Sequence, residues 1–272
     1  MSTKIVFVGG GNMALAMAGG LAQAGHPGDA ITLCDPAAKR RELAAQLGLQ
    51  TSADNRNAVA GADVVVLAVK PHLIAPVCRE LADVIADNGA LVMSVAAGVS
   101  VSVIGSSLGG HSRIVRIMPN TPALVRRGAS GLYASEHVVD ADRQMVMQIM
   151  ESVGCAIWVE QEEQLHDVTA ISGSGPAYFF LFMDFLEQEA QALGFDADSA
   201  ALLVRETAAG AAQMALEADV PLAELRRRVT SPGGTTEVAI GSFLAQNLDG
   251  VVTQAVNAGR RRSVELAQTN DE

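Results

Sequence analysis

The chain has 272 residues, of which 49% are hydrophobic, and its formal charge at pH 7 is −11. This length is enough for one large domain or two with a substantial core, and the negative charge argues against nucleic acid or an anionic membrane as a partner. No stretch reaches the ~20 apolar residues of a membrane span, and the three scattered cysteines have neither a disulfide nor a metal-binding spacing. These features predict a cytoplasmic enzyme without a metal ion.

The first predicted element is a short buried strand, Ile5–Val8, that leads into a glycine-rich turn and a helix over residues 15–24. Gly9 permits a tight turn, Gly11 lets the backbone come close to a pyrophosphate, and the small Ala14 lets the helix pack against the strand. The N–H groups at the start of that helix would then point at phosphate. Because this pattern opens the first strand–helix pair of the chain, it predicts binding of NAD or NADP.

Apolar strand segments and amphipathic helical segments then alternate up to about residue 162. The further predicted strands cover residues 31–34, 64–69, 90–95 and 114–118, with weaker ones at 131–134 and 156–159. Alternation of this kind indicates right-handed β–α–β crossovers and a parallel, doubly wound sheet. Residues 1–162 are therefore predicted to form a Rossmann-type α/β domain that binds the dinucleotide.

Helical patterns replace the strand signals in the rest of the chain. The predicted helices cover residues 176–193, 199–218, 221–229, 235–246 and 250–268, before a short polar tail. Several of them are apolar on more than one face, and a domain of about a hundred residues is too small to bury such faces internally. Residues 163–272 are therefore predicted to form an all-α substrate and dimerisation domain, and the chain is predicted to be an obligate homodimer.

The residue after the second strand, Asp35, bears on the choice between NADH and NADPH. It follows Ala14 by about twenty residues, where an acid accepts hydrogen bonds from the ribose hydroxyls and repels a 2′-phosphate. Lys39, Arg40 and Arg41 follow directly and could offset that repulsion, or they could form a solvated helix face. The preference therefore stays open.

Two tracts in the second half of the chain are rich in glycine and small residues. Residues 172–178 (SGSGPAY) precede a long apolar helix, which suits either close packing or a ligand near the helix start. Residues 231–236 (SPGGTT) open another helix, whose free N–H groups and threonine hydroxyls could bind a carboxylate. An ordinary threonine N-cap would have the same composition, so both interpretations stay open.

Lys70 follows the predicted strand at 64–69, at the edge of the sheet where ligands of doubly wound folds bind. In an acidic chain, a cation at this edge favours a role in cofactor binding over that of a solvated loop lysine. The five histidines lie in unrelated tracts, and we expect them to be surface or helix-capping residues.

Four motifs follow the glycine turn in a fixed order: residues 69–71 (VKP), 118–122 (MPNTP), 172–178 and 231–236. With them the chain resembles the pyrroline-5-carboxylate reductases over residues 5–266. The resemblance implies reduction of the cyclic imine 1-pyrroline-5-carboxylate to L-proline with NADPH or NADH, the last step of proline biosynthesis. It also implies a homodimer joined through intertwined helical domains, often the unit of a larger ring.

The same resemblance implies roles for individual residues. Cofactor contacts are expected from Val8, Gly9, Gly10, Gly11, Asn12, Met13, Asn55, Val69, Lys70, Pro71 and Ala97, with Asn120 near the nicotinamide. Substrate contacts are expected from Glu162, Ser231, Gly234, Thr235 and Thr236. The family pattern departs at Asp35, where some members carry a serine that suits a 2′-phosphate. This departure puts the usual NADPH preference in doubt.

A protonated cyclic imine is already an electrophile, so its reduction needs neither a strong acid nor a metal ion. We expect the N-terminal amides after Gly234 to bind the substrate carboxylate and the Thr236 hydroxyl to contact the ring nitrogen, assisting its protonation.

Three other functions are conceivable for a dinucleotide-binding chain with this domain plan. A β-hydroxyacid dehydrogenase would carry a catalytic lysine in its second domain, but residues 161–259 contain none. A non-catalytic nucleotide sensor is disfavoured by the complete glycine turn and by Thr235 and Thr236. Activity on related cyclic imines, such as the six-membered analogue, stays open.

Overall fold

The computed structural model describes residues 2–271, the last two by their backbone alone, so the predicted domain ends at residues 1 and 272 lie outside it. The strands are β1 Ile5–Val8, β2 Ile31–Cys34, β3 Gln50–Ser52, β4 Val64–Leu67, β5 Leu91–Ser94, β6 Ile114–Met118, β7 Gly128–Ala134 and β8 Gly154–Trp158. The helices are α1 Asn12–Gln23, α2 Ala38–Gln46, α3 Asn55–Val59, α4 Pro71–Asn88, α5 Val101–Ser107, α6 Asp140–Glu151, α7 Gln164–Val168, α8 Gly175–Ala192, α9 Ala197–Glu217, α10 Leu222–Arg228, α11 Thr235–Ala245 and α12 Leu248–Asp271.

The chain divides into two compact units. The first unit is Met1–Ser174 together with Gly259–Glu272, and the second is Gly175–Ala258. The first unit contains all eight strands, which form a single sheet in the order β3-β2-β1-β4-β5-β6-β7-β8. The strand order reverses between β1 and β4, where Val8 pairs with both Cys34 and Leu67. In a doubly wound sheet this reversal marks the crevice in which ligands bind, at the carboxyl ends of the strands.

Both faces of the central strands β1, β4 and β5 are buried, as their apolar residues predict. On one face, Phe7 and its neighbours form a core with α1 and α6. On the other face, Val6 and its neighbours form a second core with α4 and α5. The predicted α/β doubly wound architecture is therefore confirmed, with its helices in two layers around the sheet.

Two features of the sheet differ from the sequence-based expectation. Strand β7 runs antiparallel to β6, because the connection between Met118 and Gly128 holds only a short 3₁₀ turn, Thr121–Val125, and a parallel crossover needs a dozen residues or more. Strand β3 was not predicted. It is a three-residue edge strand, Gln50–Ser52, of polar and mostly exposed residues, so it lacks the apolar pattern by which strands are recognised.

The second unit is helical, and its five predicted helices lie within two residues of their predicted bounds, except that α12 extends to Asp271. Helices α8 and α9 pack together, and Glu187 and Arg205 form an ion pair at 2.8 Å. Among the described residues of this unit only Gly175 and Ala200 are buried, while Phe179 is 72% exposed. The unit therefore has almost no core of its own. No helix in residues 2–271 is both long and apolar enough to cross a membrane.

Candidate dinucleotide and substrate sites

The glycine turn after β1 has the geometry that its sequence predicts. Gly9 lies at φ +102°, and its N–H donates to the carbonyl of Cys34 at 2.8 Å. A Cβ on Gly9 would lie 2.6 Å from the carbonyl oxygen of Ala68, so no larger residue fits between β1 and β4. The turn is therefore tight because both the backbone angle and the neighbouring strand require glycine.

Gly11 is the N-cap of helix α1. The first helical turn is closed by the N–H of Leu15, which donates to the Gly11 carbonyl. The N–H groups between these two residues belong to the helix end that has no intrahelical acceptors. A Cβ on Gly11 would have no neighbour closer than 3.9 Å, so the turn is open on this side, while Ala14 is fully buried. An open, N–H-rich turn at a helix start fits a pyrophosphate group.

Asp35 is held in place by two backbone donors. Its Oδ2 accepts a hydrogen bond from the N–H of Gly10 at 2.7 Å, and its Oδ1 accepts one from the N–H of Ala37 at 2.8 Å. A Cβ on Gly10 would lie 3.1 Å from the Cβ of Asp35 and 2.9 Å from that of Arg40. Gly10 therefore makes room for the residues that follow β2, a role that the motif alone did not indicate.

The basic residues after Asp35 are in part committed to other partners. Arg40 donates to the side-chain oxygen of Asn12 at 3.0 Å, and Arg41 donates to the carbonyls of Asp35 and Pro36 at 2.7 and 2.9 Å. Lys39 is exposed. The two arginines thus brace the chain beside Asp35.

The other predicted cofactor residues follow the ends of neighbouring strands. Val69, Lys70 and Pro71 follow β4, Ala97 follows β5, and Asn55 begins α3 after β3. Since β3, β2, β1, β4 and β5 are successive neighbours that all run parallel, their carboxyl ends lie along one edge of the sheet. Lys70 is exposed, and no hydrogen bond or ion pair joins its ammonium group to a residue within 2–271. The fold therefore brings the predicted cofactor residues to the edge at which ligands of doubly wound folds bind.

Asn120, expected near the nicotinamide, is buried and its side chain is fully engaged. The amide nitrogen donates to the carbonyl of Ser172 at 2.9 Å, and the amide oxygen accepts from the N–H of Ala129 at 2.9 Å. The side chain thus joins the segment after β6 to two other segments of the first unit.

Glu162, the predicted substrate-side acid, forms a buried ion pair. Its Oε1 accepts from Arg116 Nη1 at 2.5 Å and from the N–H of Val101, the first residue of α5, at 2.7 Å. The Arg116 side chain is 9% exposed. Sequence reasoning missed Arg116, although a lone arginine inside an apolar strand is a usable signal, because a buried charge requires a partner.

Residues 172–178 are explained in part by close packing. Residues Thr169–Gly173 form a π-helical turn, closed by the N–H of Ser174 on the Thr169 carbonyl at 2.8 Å. A Cβ on Gly173 would lie 2.8 Å from the terminal methyl of Met118. Of the two interpretations left open, close packing is the one that this contact supports.

In the second unit, the SPGGTT tract forms a tight loop at the start of α11. Gly233 lies at φ +71°, Gly234 donates its N–H to the Ser231 carbonyl at 3.0 Å, and a Cβ on Gly234 would lie 2.4 Å from Ser231 Oγ. Gly234 is the N-cap and no side chain caps the helix, so the threonine N-cap interpretation is wrong. Glu237 folds back and accepts from the N–H of Gly233 at 2.8 Å.

The first backbone N–H of α11 that finds a helical acceptor is that of Val238, on the carbonyl of Gly234. The N–H groups of Thr235, Thr236 and Glu237 therefore belong to the open end of the helix. Neither threonine hydroxyl makes a hydrogen bond to another residue of the described chain. Three N–H groups and two hydroxyls at one helix start are a set of donors suited to a small carboxylate.

Burial shifts the pKa of two histidines and two cysteines among the described residues. His111 and His166, expected to be surface or helix-capping residues, are half-buried, and burial lowers the pKa of both. Burial raises the pKa of the Cys34 thiol and raises that of Cys78 to about 12, so both stay neutral at physiological pH.

A sheet edge suited to a dinucleotide, together with a helix start suited to a carboxylate on a separate helical unit, is the arrangement expected of a two-part NAD(P)-dependent oxidoreductase. Comparison with known proteins agrees. Residues 4–98 match the family model described as NADP oxidoreductase coenzyme F420-dependent, and residues 162–266 match the model described as pyrroline-5-carboxylate reductase dimerisation.

The chain is 47% identical over 270 residues to the pyrroline-5-carboxylate reductase of Pseudomonas aeruginosa, covering 98% of each chain. It is 45% identical over 268 residues to that of Pasteurella multocida, covering 97% of each. A solved structure of a pyrroline-5-carboxylate reductase from Coxiella burnetii superposes with a TM-score of 0.94 at 44% identity, over 98% of this chain and 99% of that one. The Plasmodium falciparum enzyme with NADP bound superposes at 0.85 and 28% identity, over 97% and 98%.

The chain belongs to the pyrroline-5-carboxylate reductase family. It is an NAD(P)-dependent oxidoreductase with a dimerisation domain, and its reaction is the last step of proline biosynthesis.

Proposed function

We propose that the protein reduces 1-pyrroline-5-carboxylate with two separate groups of residues, one for NAD(P)H and one for the imine. The observation that carries the proposal is the start of α11, where three N–H groups and two threonine hydroxyls have no acceptor or partner among the described residues. A substrate that is both a carboxylate and an imine uses such donors for its charge and for its ring nitrogen.

On the cofactor side, the glycine turn and the start of α1 hold the pyrophosphate through residues 8–13. Asp35 and Asn55 contact the adenosine half, whereas Val69, Lys70, Pro71 and Ala97 line the edge toward the nicotinamide, with Asn120 near the ring. Support for this order comes from the strand sequence, since β2, β1, β4, β5 and β6 are successive neighbours. Lys70 supplies the cation that an acidic chain needs beside the phosphates.

On the substrate side, the amides of Thr235 and Thr236 bind the carboxylate, supported by Ser231 and Gly234, which shape the loop. The Thr236 hydroxyl contacts the ring nitrogen and manages its proton. Glu162 is retained as a substrate-side acid, and its bond to the first N–H of α5 places it beside the segment after β5.

Bound NAD(P)H supplies the hydride for the imine carbon. The protein orients the two reactants, which is the main source of acceleration for a substrate that is already electrophilic. The α11 loop holds the carboxylate and so fixes the orientation of the imine ring. The ring nitrogen takes up one proton, and the product is L-proline.

We further propose that NADH is preferred over NADPH. The Asp35 carboxylate is fixed by two N–H donors, and both arginines that follow it are engaged elsewhere, Arg40 with the side-chain oxygen of Asn12 and Arg41 with backbone carbonyls. A fixed carboxylate accepts from ribose hydroxyls and repels a 2′-phosphate. Replacing Asp35 with serine should therefore shift the ratio of kcat/KM values toward NADPH by about tenfold, equivalent to about 1.4 kcal/mol.

The functional division proposed is residues 1–162 for the dinucleotide and 163–272 for substrate and dimerisation. The near absence of buried residues in the second unit supports a homodimer, as the unit of a larger ring. We place the enzyme in the cytoplasm, where its three free cysteines remain reduced.

The test is the oxidation of NADH and of NADPH at 340 nm, each with and without 1-pyrroline-5-carboxylate. Imine-dependent oxidation that is faster with NADH supports the proposal, and a faster rate with NADPH contradicts the cofactor preference alone. Absence of turnover with either cofactor by folded protein contradicts the proposed reaction. The six-membered imine, assayed in parallel, tests the specificity.

A further inference from the structure

Alternate residues of β6 and its continuation contact one segment of the first unit. Arg116 pairs with Glu162, Met118 meets Gly173, and Asn120 bonds to Ser172. Side chains two residues apart on an extended strand lie on the same face. The intervening Val115 and Ile117 belong instead to the core on the opposite face. One face of this strand is thus occupied by α7 and the π-helical turn.

The π-helical turn lies against the sheet at distances that only small residues allow. A Cβ on Gly131, the β7 partner of Met118, would lie 2.6 Å from a Val168 methyl. The corresponding distance from Gly173 to Met118 is 2.8 Å. π-helical turns interrupt regular helix geometry and are found frequently at functional sites. The glycines therefore let the turn reach the carboxyl end of β6, where its position matters for a bound cofactor.

Asn120 is the polar part of this contact. Its amide nitrogen donates to the carbonyl of Ser172 in the π-helical turn, and its amide oxygen accepts from the N–H of Ala129, the second residue of β7, at 2.9 Å each. The side chain is 7% exposed, so these bonds are shielded from water. One N–H and the oxygen of the amide are therefore used within the protein, and these two bonds fix the orientation of the side chain.

We infer that Asn120 is a positioning residue, which acts on hydride transfer by fixing the main chain at the carboxyl end of β6 against the π-helical turn. This inference rests on the proposed function, because it takes the nicotinamide to lie at that edge. It replaces direct contact between the Asn120 amide and the cofactor with an action through the backbone of Met118 and Pro119. Misplacement of a reacting group by about 1 Å can reduce a rate about 100-fold.

The test uses Asn120→Asp, because a carboxyl can replace the amide in only one protonation state. When ionised, the introduced group still accepts from the N–H of Ala129 but opposes the carbonyl of Ser172. When protonated, it can donate to that carbonyl as the amide does. Burial and the facing carbonyl raise the pKa of a carboxyl in this position.

Hydride transfer is measured in single turnovers with unlabelled and with 4-deuterated cofactor. Each rate is expressed relative to that of the unmodified protein at the same pH. At neutral pH we expect a rate about 10- to 100-fold lower in Asn120→Asp, with cofactor Kd changed less than about twofold. As the pH falls, the relative rate should recover. Asn120→Ser, which has no ionisable group, should show the loss without the recovery.

Asn88→Asp is the matched control. The Asn88 amide also joins two backbone groups, donating to Val59 at 2.7 Å and accepting from Gly61 at 3.1 Å. It lies at the far end of the 18-residue helix α4. We expect it to alter stability without a pH-dependent change in hydride transfer. Three results would overturn the inference alone. They are a relative rate in Asn120→Asp that does not depend on pH, weaker cofactor binding in Asn120→Asp with a normal transfer rate, and the same pH profile in Asn88→Asp. No turnover by the unmodified protein overturns the proposed function and this inference with it.

Discussion

Thr236 has the residue-scale role that is easiest to isolate, since its hydroxyl makes no hydrogen bond to another described residue of the chain. Thr236→Ala should lower kcat about 100-fold, because general acid–base assistance to the ring nitrogen is lost. The KM for the imine should change little, since the α11 amides remain. Steady-state kinetics with the preferred cofactor measure both constants.

Thr253→Ala is the control for this change, because the Thr253 hydroxyl bonds only to the carbonyl of Asp249 in its own helix. It should retain the unmodified kcat. An unchanged kcat in Thr236→Ala would exclude the hydroxyl from proton transfer.

Lys70 provides a second residue-scale prediction. Its ammonium group is exposed at the carboxyl end of β4 and has no assigned partner in residues 2–271, so it is available to a phosphate. Lys70→Met should weaken NAD(P)H binding about 5- to 10-fold, and the effect should shrink as salt is added. Equilibrium titration of cofactor fluorescence at two ionic strengths measures this.

Lys4→Met is the matched control, since Lys4 precedes β1 and lies at the opposite edge of the same sheet. It should leave the cofactor Kd unaltered. Equal affinities in Lys70→Met and Lys4→Met would return Lys70 to the role of a solvated loop residue.

At the scale of elements, the ion pair of Arg113 and Asp142 joins the start of β6 to helix α6. The closest atoms are 2.6 Å apart, the Asp142 side chain is 4% exposed, and its carboxylate also accepts from the N–H of Val139. The Arg113 guanidinium lowers the pKa of Asp142 below its usual range. The stabilisation is therefore complete above the unfolded-state pKa of about 4 and is lost as the pH falls through the folded-state value.

Asp142→Asn should lower the free energy of unfolding by about 2 kcal/mol at pH 7. It should also flatten the decline in stability between pH 5 and pH 2. Urea unfolding midpoints across this range measure both effects. Glu265→Gln removes an exposed i,i+3 ion pair with Arg262 and should have little effect at any pH. An acid decline as steep in Asp142→Asn as in the unmodified protein would contradict this role.

At the scale of the whole molecule, the exposed aromatic residues of α8 require a partner. Phe179, Phe180 and Phe185 are 72%, 63% and 54% exposed, and apolar surface of this extent is typical of an interface. We expect light scattering to give a multiple of the 28.2 kDa chain mass, with twice that mass as the smallest species. A monodisperse monomer would contradict the dimer.

Phe179→Glu should reduce that assembly, because it places a charge on the apolar surface of α8. Leu43→Glu, on helix α2 of the first unit, is the control and should leave the mass unchanged. If the assembly mass is unchanged in Phe179→Glu at micromolar protein concentration, the interface lies on other helices.

Local patterns in the amino-acid sequence were enough to predict several parts of this protein. Strands with buried apolar runs, the tight turn at Gly9 and the helices of the second unit follow from periodicity and glycine, which act over a few residues. The order of motifs also predicted the family. Edge strand β3 was not predicted because it is short and polar. It is a strand only through its pairing with β2.

The tertiary structure alone decided which distant groups meet. The pairing of Arg116 with Glu162, the bond from the Asn120 amide to Ser172 and the fixing of Asp35 by Gly10 join residues 25 to 52 positions apart. The antiparallel direction of β7 likewise became evident only with its neighbours in place. Such contacts arise when separate segments pack, and a local pattern carries no record of the partner that a polar group will find.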